Sequence, residues 1–165
     1  MVSRVSVPYT EVGTYTEAEV QTLLASLTDN RLAHSVELAL CGLRRGEVAG
    51  LRWADIDLEA RTLSVVNNRV DAGGKVVKGD PKSVMSRRTL PLPERLVTVL
   101  KAAKARQARE RLAIGADGGE WRYVVSNEAG EPYHPQVISR HWAKAVKDAG
   151  LRHITLHGGR HTAAT

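Results

Sequence analysis

Apolar side chains return at helical spacing in several stretches of this chain, and the stretches are bounded by recognisable start and stop signals. Thr16-Glu17-Ala18-Glu19 has the form of a capping box, and Val20, Leu23, Leu24 and Leu27 follow it on one face. Leu32, Val36, Ala39, Leu40 and Leu43 form a second stripe, and Glu47 to Leu51 starts a further short helix. A long helix is predicted from Pro93 to about Ala113, with Leu96, Val97, Leu100 and Ala103 inward. His134-Pro135 opens a last full helix with Ile138, Trp142, Ala145 and Val146 inward and Gly150 as its C-terminal stop. Between these helices the period changes. Thr62–Val66, Lys75–Val77 and Arg88–Leu92 read as extended segments, with Asp71-Ala72-Gly73-Gly74 as a turn signal, and Trp121–Val125 reads as a short buried run. The prediction is an α+β domain, mostly helical, with a small three-stranded antiparallel sheet.

Composition narrows the picture. The 165 residues make about one domain, and 42% hydrophobic with 25% charged residues is ordinary for a globular chain. There is no Phe, so the core rests on aliphatic residues and three Trp. A formal net charge of +6 favours a polyanionic partner. Lys101, Lys104, Arg106, Arg109 and Arg111 crowd one helix, as a DNA-facing stripe or as an ordinary solvated face. The single Cys41 excludes an internal disulfide and a Cys-rich metal site, and its apolar surroundings suggest a core thiol. The Met1–Val7 segment lacks the apolar run of a signal peptide, and no stretch is long enough to span a bilayer. A cytoplasmic location without membrane association is the expectation.

The chemistry-bearing residues lie near the two ends. In Leu156-His157-Gly158-Gly159-Arg160-His161, a His and an Arg three apart share a face if the segment is helical. One can move a proton, and the other can grip an anionic oxygen. Far upstream stands Gly42-Leu43-Arg44-Arg45-Gly46-Glu47, then Leu51-Arg52-Trp53 with Asp55-Ile56-Asp57, and between the two lie Pro81-Lys82-Ser83 and Ser86–Leu92. In this order the segments resemble the tyrosine recombinase (phage integrase) family, from about Thr16 to the end. The division that follows is an extended tail or linker over 1–13 and a truncated recombinase catalytic domain over 14–165.

The resemblance implies a division of labour. Arg44 and Arg160 match the arginines that hold the non-bridging oxygens of a scissile phosphate, His157 matches the general acid/base, and Lys82 matches the hairpin lysine that protonates the leaving 5′ oxygen. Lys75 and Lys78 compete for the lysine role because hairpin registers slip easily. Glu47 is read as a structural partner that orients its neighbours, Arg45 as a surface charge, and His161 as a structural hydrogen-bonding group. His34, His134, His141 and His153 are read as surface or capping residues. The partner implied is double-stranded DNA, with oligomerisation on that DNA compatible. No small-molecule cofactor or metal is implied.

Two departures stand out. Gly158-Gly159 replaces the Asp or Gly and the Leu usual inside the last box, and two helical glycines cost about 1 kcal/mol each relative to Ala, which predicts a looser box. The family's nucleophilic Tyr lies beyond that box, whereas Tyr9, Tyr15, Tyr123 and Tyr133 all precede it. The fragment is therefore expected to be inactive alone. The leading reading is a catalytic-domain fragment of a site-specific DNA recombinase, and the alternative is a non-catalytic DNA-binding remnant or regulator. A type IB topoisomerase-like enzyme is disfavoured by the Leu-Arg-Trp-x-Asp-Ile-Asp run.

Overall fold

The computed structural model describes residues 13–72, 75–79, 87–115 and 121–160. The elements run α1 (Glu17–Ser26), α2 (Ala33–Leu40), α3 (Arg45–Gly50), β1 (Ile56–Asp57), β2 (Thr62–Val65), β3 (Asn68–Ala72), β4 (Lys75–Gly79), β5 (Arg88–Pro91), α4 (Glu94–Ile114), α5 (Pro135–Asp148) and α6 (Leu156–Arg160). No described helix is long and apolar enough to cross a membrane.

The helices start where the sequence signals them. At α1 the capping box closes both ways: Glu19 N–H donates to Thr16 Oγ1 at 3.2 Å, and Thr16 N–H donates to Glu19 Oε1 at 3.0 Å. Pro93 caps α4, and Pro135 occupies the first turn of α5, where its missing N–H leaves no helical bond unmade. His134 caps α5 by accepting from Gln136 N–H at 3.0 Å. Ile138, Trp142, Ala145 and Val146 of α5 are all buried, as their spacing predicts.

The three-stranded antiparallel sheet is present, but with a different third member. Its order is β1-β2-β5, with Leu63 paired to both Ile56 and Leu90. Lys75–Val77, expected in this sheet, instead lies in β4 and pairs with β3 as a separate hairpin, Val70 opposite Val77. The physical reason is proximity: β3 and β4 lie two residues apart in the sequence, and so short a closure costs less than the longer one that would bring β4 to β2.

One core joins these parts. Leu23, Leu38, Leu43, Leu63, Leu100, Val124, Val125 and Trp142 are almost wholly removed from solvent. Trp121–Val125 forms no regular strand. It is stitched in by a bridge between Arg52 and Tyr123 and by Gln107 of α4, whose Nε2 donates to the Val124 carbonyl at 2.9 Å while Oε1 accepts from Trp53 Nε1 at 2.7 Å. His34, expected at the surface or as a cap, is buried here, and its Nε2 bonds the Val124 carbonyl at 3.0 Å. Its position on the inner side of α2 explains the difference, since a neutral imidazole can be buried when its ring N–H finds an acceptor, here the second lone pair of the carbonyl that Gln107 also reaches. Burial pushes its pKa down to about 4. Cys41 is half-buried against the core, where loss of solvent lifts the thiol to about 11.

Candidate functional site

The site begins at the turn after α2. Gly42 takes φ +106°, Gly42 N–H bonds the Ala39 carbonyl at 3.0 Å, and Leu43 N–H reaches the Leu38 carbonyl at 3.3 Å. This paired closure is a Schellman turn, and it requires the left-handed residue that glycine supplies cheaply. The turn buries Leu43 and delivers Arg44 to the N-terminal edge of α3, with its side chain exposed.

Glu47 locks that placement. Its side chain is 4% exposed, and Oε1 accepts from Arg44 N–H at 2.8 Å. The same carboxylate receives two N–H groups from Arg88, at 2.9 and 3.0 Å. The structural role expected of Glu47 is thus visible, together with a partner, Arg88, that the sequence reading did not single out. A signal for it existed: an acid inside an apolar helical run needs a cation, and Arg88 opens an extended segment.

Gly46 and Gly50 serve a different purpose. A Cβ on Gly46 would lie 2.5 Å from the Arg69 carbonyl oxygen, and one on Gly50 would lie 3.3 Å from Arg69 N. Their bare faces allow β3 to lie directly on α3, so the β3–β4 hairpin is seated beside the helix that carries Arg44. Lys75 and Lys78 are on β4, with Lys78 paired to Arg69 across the hairpin. Lys82 and His161 lie outside the described residues, as does the tail before Gly13.

The last box arrives from the other end of the chain. Tyr15 Oη donates to the Arg152 carbonyl at 2.8 Å, while Arg152 Nε donates to Glu19 at 3.0 Å and a second Arg152 nitrogen donates to the Thr14 carbonyl. This clamp ties the N-terminal segment to the loop before α6, and the Arg152 bond holds the Glu19 carboxyl down at about 2. Leu156 is buried and His157 is exposed. Arg160 is half-buried, with Nε donating to the Gly42 carbonyl at 2.8 Å.

Gly158 and Gly159 are close-contact positions. A Cβ at Gly158 would stand 2.6 Å from Ile154 Cγ2 and 2.8 Å from the Gly13 carbonyl oxygen, and one at Gly159 would run into the indole of Trp142. The looseness predicted from two helical glycines is therefore opposed by packing: the bulk usual inside this box is supplied by Trp142 from α5.

Arg44, His157 and Arg160 line one cleft of about 520 Å³, together with Arg45, Ser139, Trp142, His153 and Thr155. The sequence reading placed Arg45 and His153 on the surface; both are exposed, and both face this cleft. Burial, then neighbouring Arg44 and, more weakly, Arg88, press the pKa of Arg160 below the ordinary arginine value, with Glu47 opposing. Three guanidinium groups around one carboxylate leave a surplus of positive charge that an anion would relieve. The α4 basic run contributes none of the cleft-lining residues. Arg106 is turned inward to the Arg31 carbonyl, and Lys104 sits 5.6 Å from the Trp53 ring.

Comparisons place this arrangement among known proteins. Residues 14–165 match the Phage integrase family. The chain is 31% identical over 169 residues to "Tyrosine recombinase XerC-like" of Caldanaerobacter subterraneus subsp. tengcongensis, covering 94% of this chain and 43% of that protein. It is 37% identical over 95 residues to an integrase of Saccharopolyspora erythraea, covering 56% of this chain and 21% of the relative. It therefore spans less than half the length of these relatives. Among solved structures, XerA recombinase superposes with TM-score 0.66 at 22% identity, covering 92% of this chain and 48% of the other. The Tn1549 transposon integrase bound to transposon right end DNA superposes with TM-score 0.67 at 21% identity, covering 90% of this chain and 50% of the other. At those identities the superpositions speak for the fold, and the sequence match over nearly the whole chain settles the lineage: this chain belongs to the phage integrase family of tyrosine recombinases.

Proposed function

We propose that this chain binds duplex DNA and seats one backbone phosphate in the α3–α5–α6 cleft, as the phosphate-holding part of a site-specific recombinase acting in the cytoplasm. Arg44 and Arg160 take the non-bridging oxygens, His157 moves a proton at the phosphate, and Lys82 protonates the departing 5′ oxygen. The observation that carries the reading is the meeting of Arg44 with His157 and Arg160 in a single cation-rich cleft. Guanidinium groups suit the role because they stay charged and can grip two oxygens at once. A related integrase has been solved in complex with transposon DNA, which supports the choice of polyanion.

On this reading none of the tyrosines among the described residues is the attacking group. Tyr15 Oη is engaged with the Arg152 carbonyl, Tyr133 Oη accepts from Arg31 Nη1 at 3.2 Å, and neither these nor Tyr123 is among the cleft-lining residues. Transesterification then exchanges a phosphodiester for a phosphotyrosine, with the proton passing to the 5′ oxygen. No bond energy is lost to water, so the strand can be resealed.

The test is duplex binding followed by fluorescence anisotropy across a salt series. Backbone contacts make log K fall linearly with log salt. Arg44→Ala and Arg160→Ala should each weaken binding about tenfold and reduce the slope by about one unit. Unchanged affinity and slope in both variants would remove the phosphate from this cleft.

A further inference from the structure

The Gly42 carbonyl oxygen accepts from two arginines at once: Arg160 Nε at 2.8 Å and Arg88 Nη2 at 3.1 Å. Arg88 also holds both oxygens of Glu47, the carboxylate that fixes Arg44 N–H. One guanidinium thus touches the support of Arg44 and the support of Arg160. Its side chain is 27% exposed, and it does not line the cleft.

We propose that Arg88 is a positioning residue that sets Arg44 and Arg160 in register for a phosphate bound between them, an inference resting on the reading of the cleft above. A guanidinium is planar, so anchoring Nε of Arg160 on a fixed carbonyl restricts the plane in which its Nη groups present themselves. The carbonyl is fixed because Gly42 is locked in the Schellman turn at φ +106°. Arg88 completes that lock from the side: it ties the Gly42 oxygen to the Glu47 carboxylate, so the turn, the start of α3 and the end of α6 move as one piece. A purely stabilising ion pair would need no second bond to Gly42. That second bond draws a cation toward Arg160, where it helps lower the Arg160 pKa. The repulsion is offset when a phosphate enters, so this arrangement is tuned to the anion-bound state.

The experiment titrates inorganic phosphate into the full chain in chloride buffer and follows the Nε–Hε resonances of Arg44 and Arg160 by NMR. In the unmodified chain both resonances should shift and saturate together. R88Q should raise the phosphate dissociation constant at least threefold and displace the Arg160 resonance before any phosphate is added. R88K, which keeps the charge beside Glu47 but cannot span both carboxylate oxygens and the carbonyl in one plane, should restore only part of the affinity. R160Q should cost less affinity in the R88Q background than alone, since the two act as one unit. R95Q removes a comparable ion pair, Arg95 to Glu37 at 2.9 Å away from the cleft, and should leave phosphate affinity unchanged. Phosphate binding that is intact in both R88K and R88Q, or R88Q and R160Q effects that multiply independently, would overturn the positioning role alone. Silence of both resonances in the unmodified chain would overturn the cleft reading and this inference with it. Should R88Q fail to fold, R88K decides the matter by the same resonances.

Discussion

Replacing Gly159 by Ala separates two opposing effects with different signs. Helix propensity alone predicts a gain of about 1 kcal/mol, because alanine loses less backbone freedom on folding than glycine. Packing predicts a loss. A Cβ at this position would sit closer to Trp142 Cζ2 and Cη2 than real Cβ contacts allow, with Cε2 a further 3.2 Å neighbour. The indole cannot step aside, since it is 1% exposed and its Nε1 donates to the Ile154 carbonyl at 2.7 Å. Overfilling a tight core costs roughly 1–3 kcal/mol, and a rigid ring against a helix backbone belongs at the upper end. The net expectation is a destabilisation of about 1–2 kcal/mol, or a fall in Tm of roughly 2–8 °C for a chain of this size. Urea or thermal unfolding followed by circular dichroism measures it. Gly159→Leu, which installs the family's more usual residue, should be worse than Gly159→Ala, and Trp142→Leu in the same chain should recover part of that loss. A Gly159→Ala variant as stable as the starting protein, or more so, would refute the claim that Trp142 dictates this glycine.

Other outcomes follow from the same geometry. His34 is held neutral, with a folded pKa of about 4 against an ordinary 6.5. The unfolded chain therefore binds more protons between those values, and its contribution to stability is complete above about pH 6.5 and lost as pH falls toward 4. The shift corresponds to about 3 kcal/mol at most, and His34→Gln should flatten that window in pH-dependent urea unfolding; an unchanged slope would assign it elsewhere. The contribution of Glu19, held near 2, is complete above its ordinary 4.5 and is lost only as pH falls from there toward 2, below most of the His34 window. Gly46→Ala should lift β3 from α3, costing about 1–3 kcal/mol in stability and weakening DNA binding through displacement of Arg44, whereas normal stability and binding would show that the close approach is dispensable. A nicked duplex suicide substrate incubated with this chain alone should give no covalent adduct on denaturing gels, and an adduct mapped to Tyr9, Tyr15, Tyr123 or Tyr133 would contradict the expectation that none of them is the nucleophile.

What the sequence revealed, and what it hid, divides along physical lines. Helices α1, α4 and α5 were legible because their signals are local: a capping box at Thr16, prolines at 93 and 135, and apolar residues at steps of three and four. The strand partners were not, since Lys75–Gly79 has the same extended character whether it joins β2 or folds back on β3, and the choice is made by loop closure. At the site, Arg44, His157 and Arg160 were legible as side-chain chemistry in ordered motifs, and they meet in one cleft. Arg88 escaped because its importance is relational: it depends on a carboxylate and a carbonyl far upstream, Glu47 and Gly42. His34 escaped for the same reason, its donor role created by the Val124 carbonyl across the core.

The glycine pair of the last box shows the same contrast between local sequence and packed fold. Read along the chain, Gly158-Gly159 is a local defect, two weak helix formers where a core leucine is usual. Read across the fold, the missing volume is supplied by Trp142, and the helix approaches that ring and the Gly13 backbone closely enough to exclude a methyl group. That approach brings α6 against α5 and leaves Arg160 within reach of the Gly42 carbonyl. A sequence motif records which residue types are present; it does not record where the lost volume has gone. Compensation between Trp142 and Gly159 would allow the motif to drift at its centre while the separation between Arg44 and Arg160, set through Gly42 and Glu47, stays fixed.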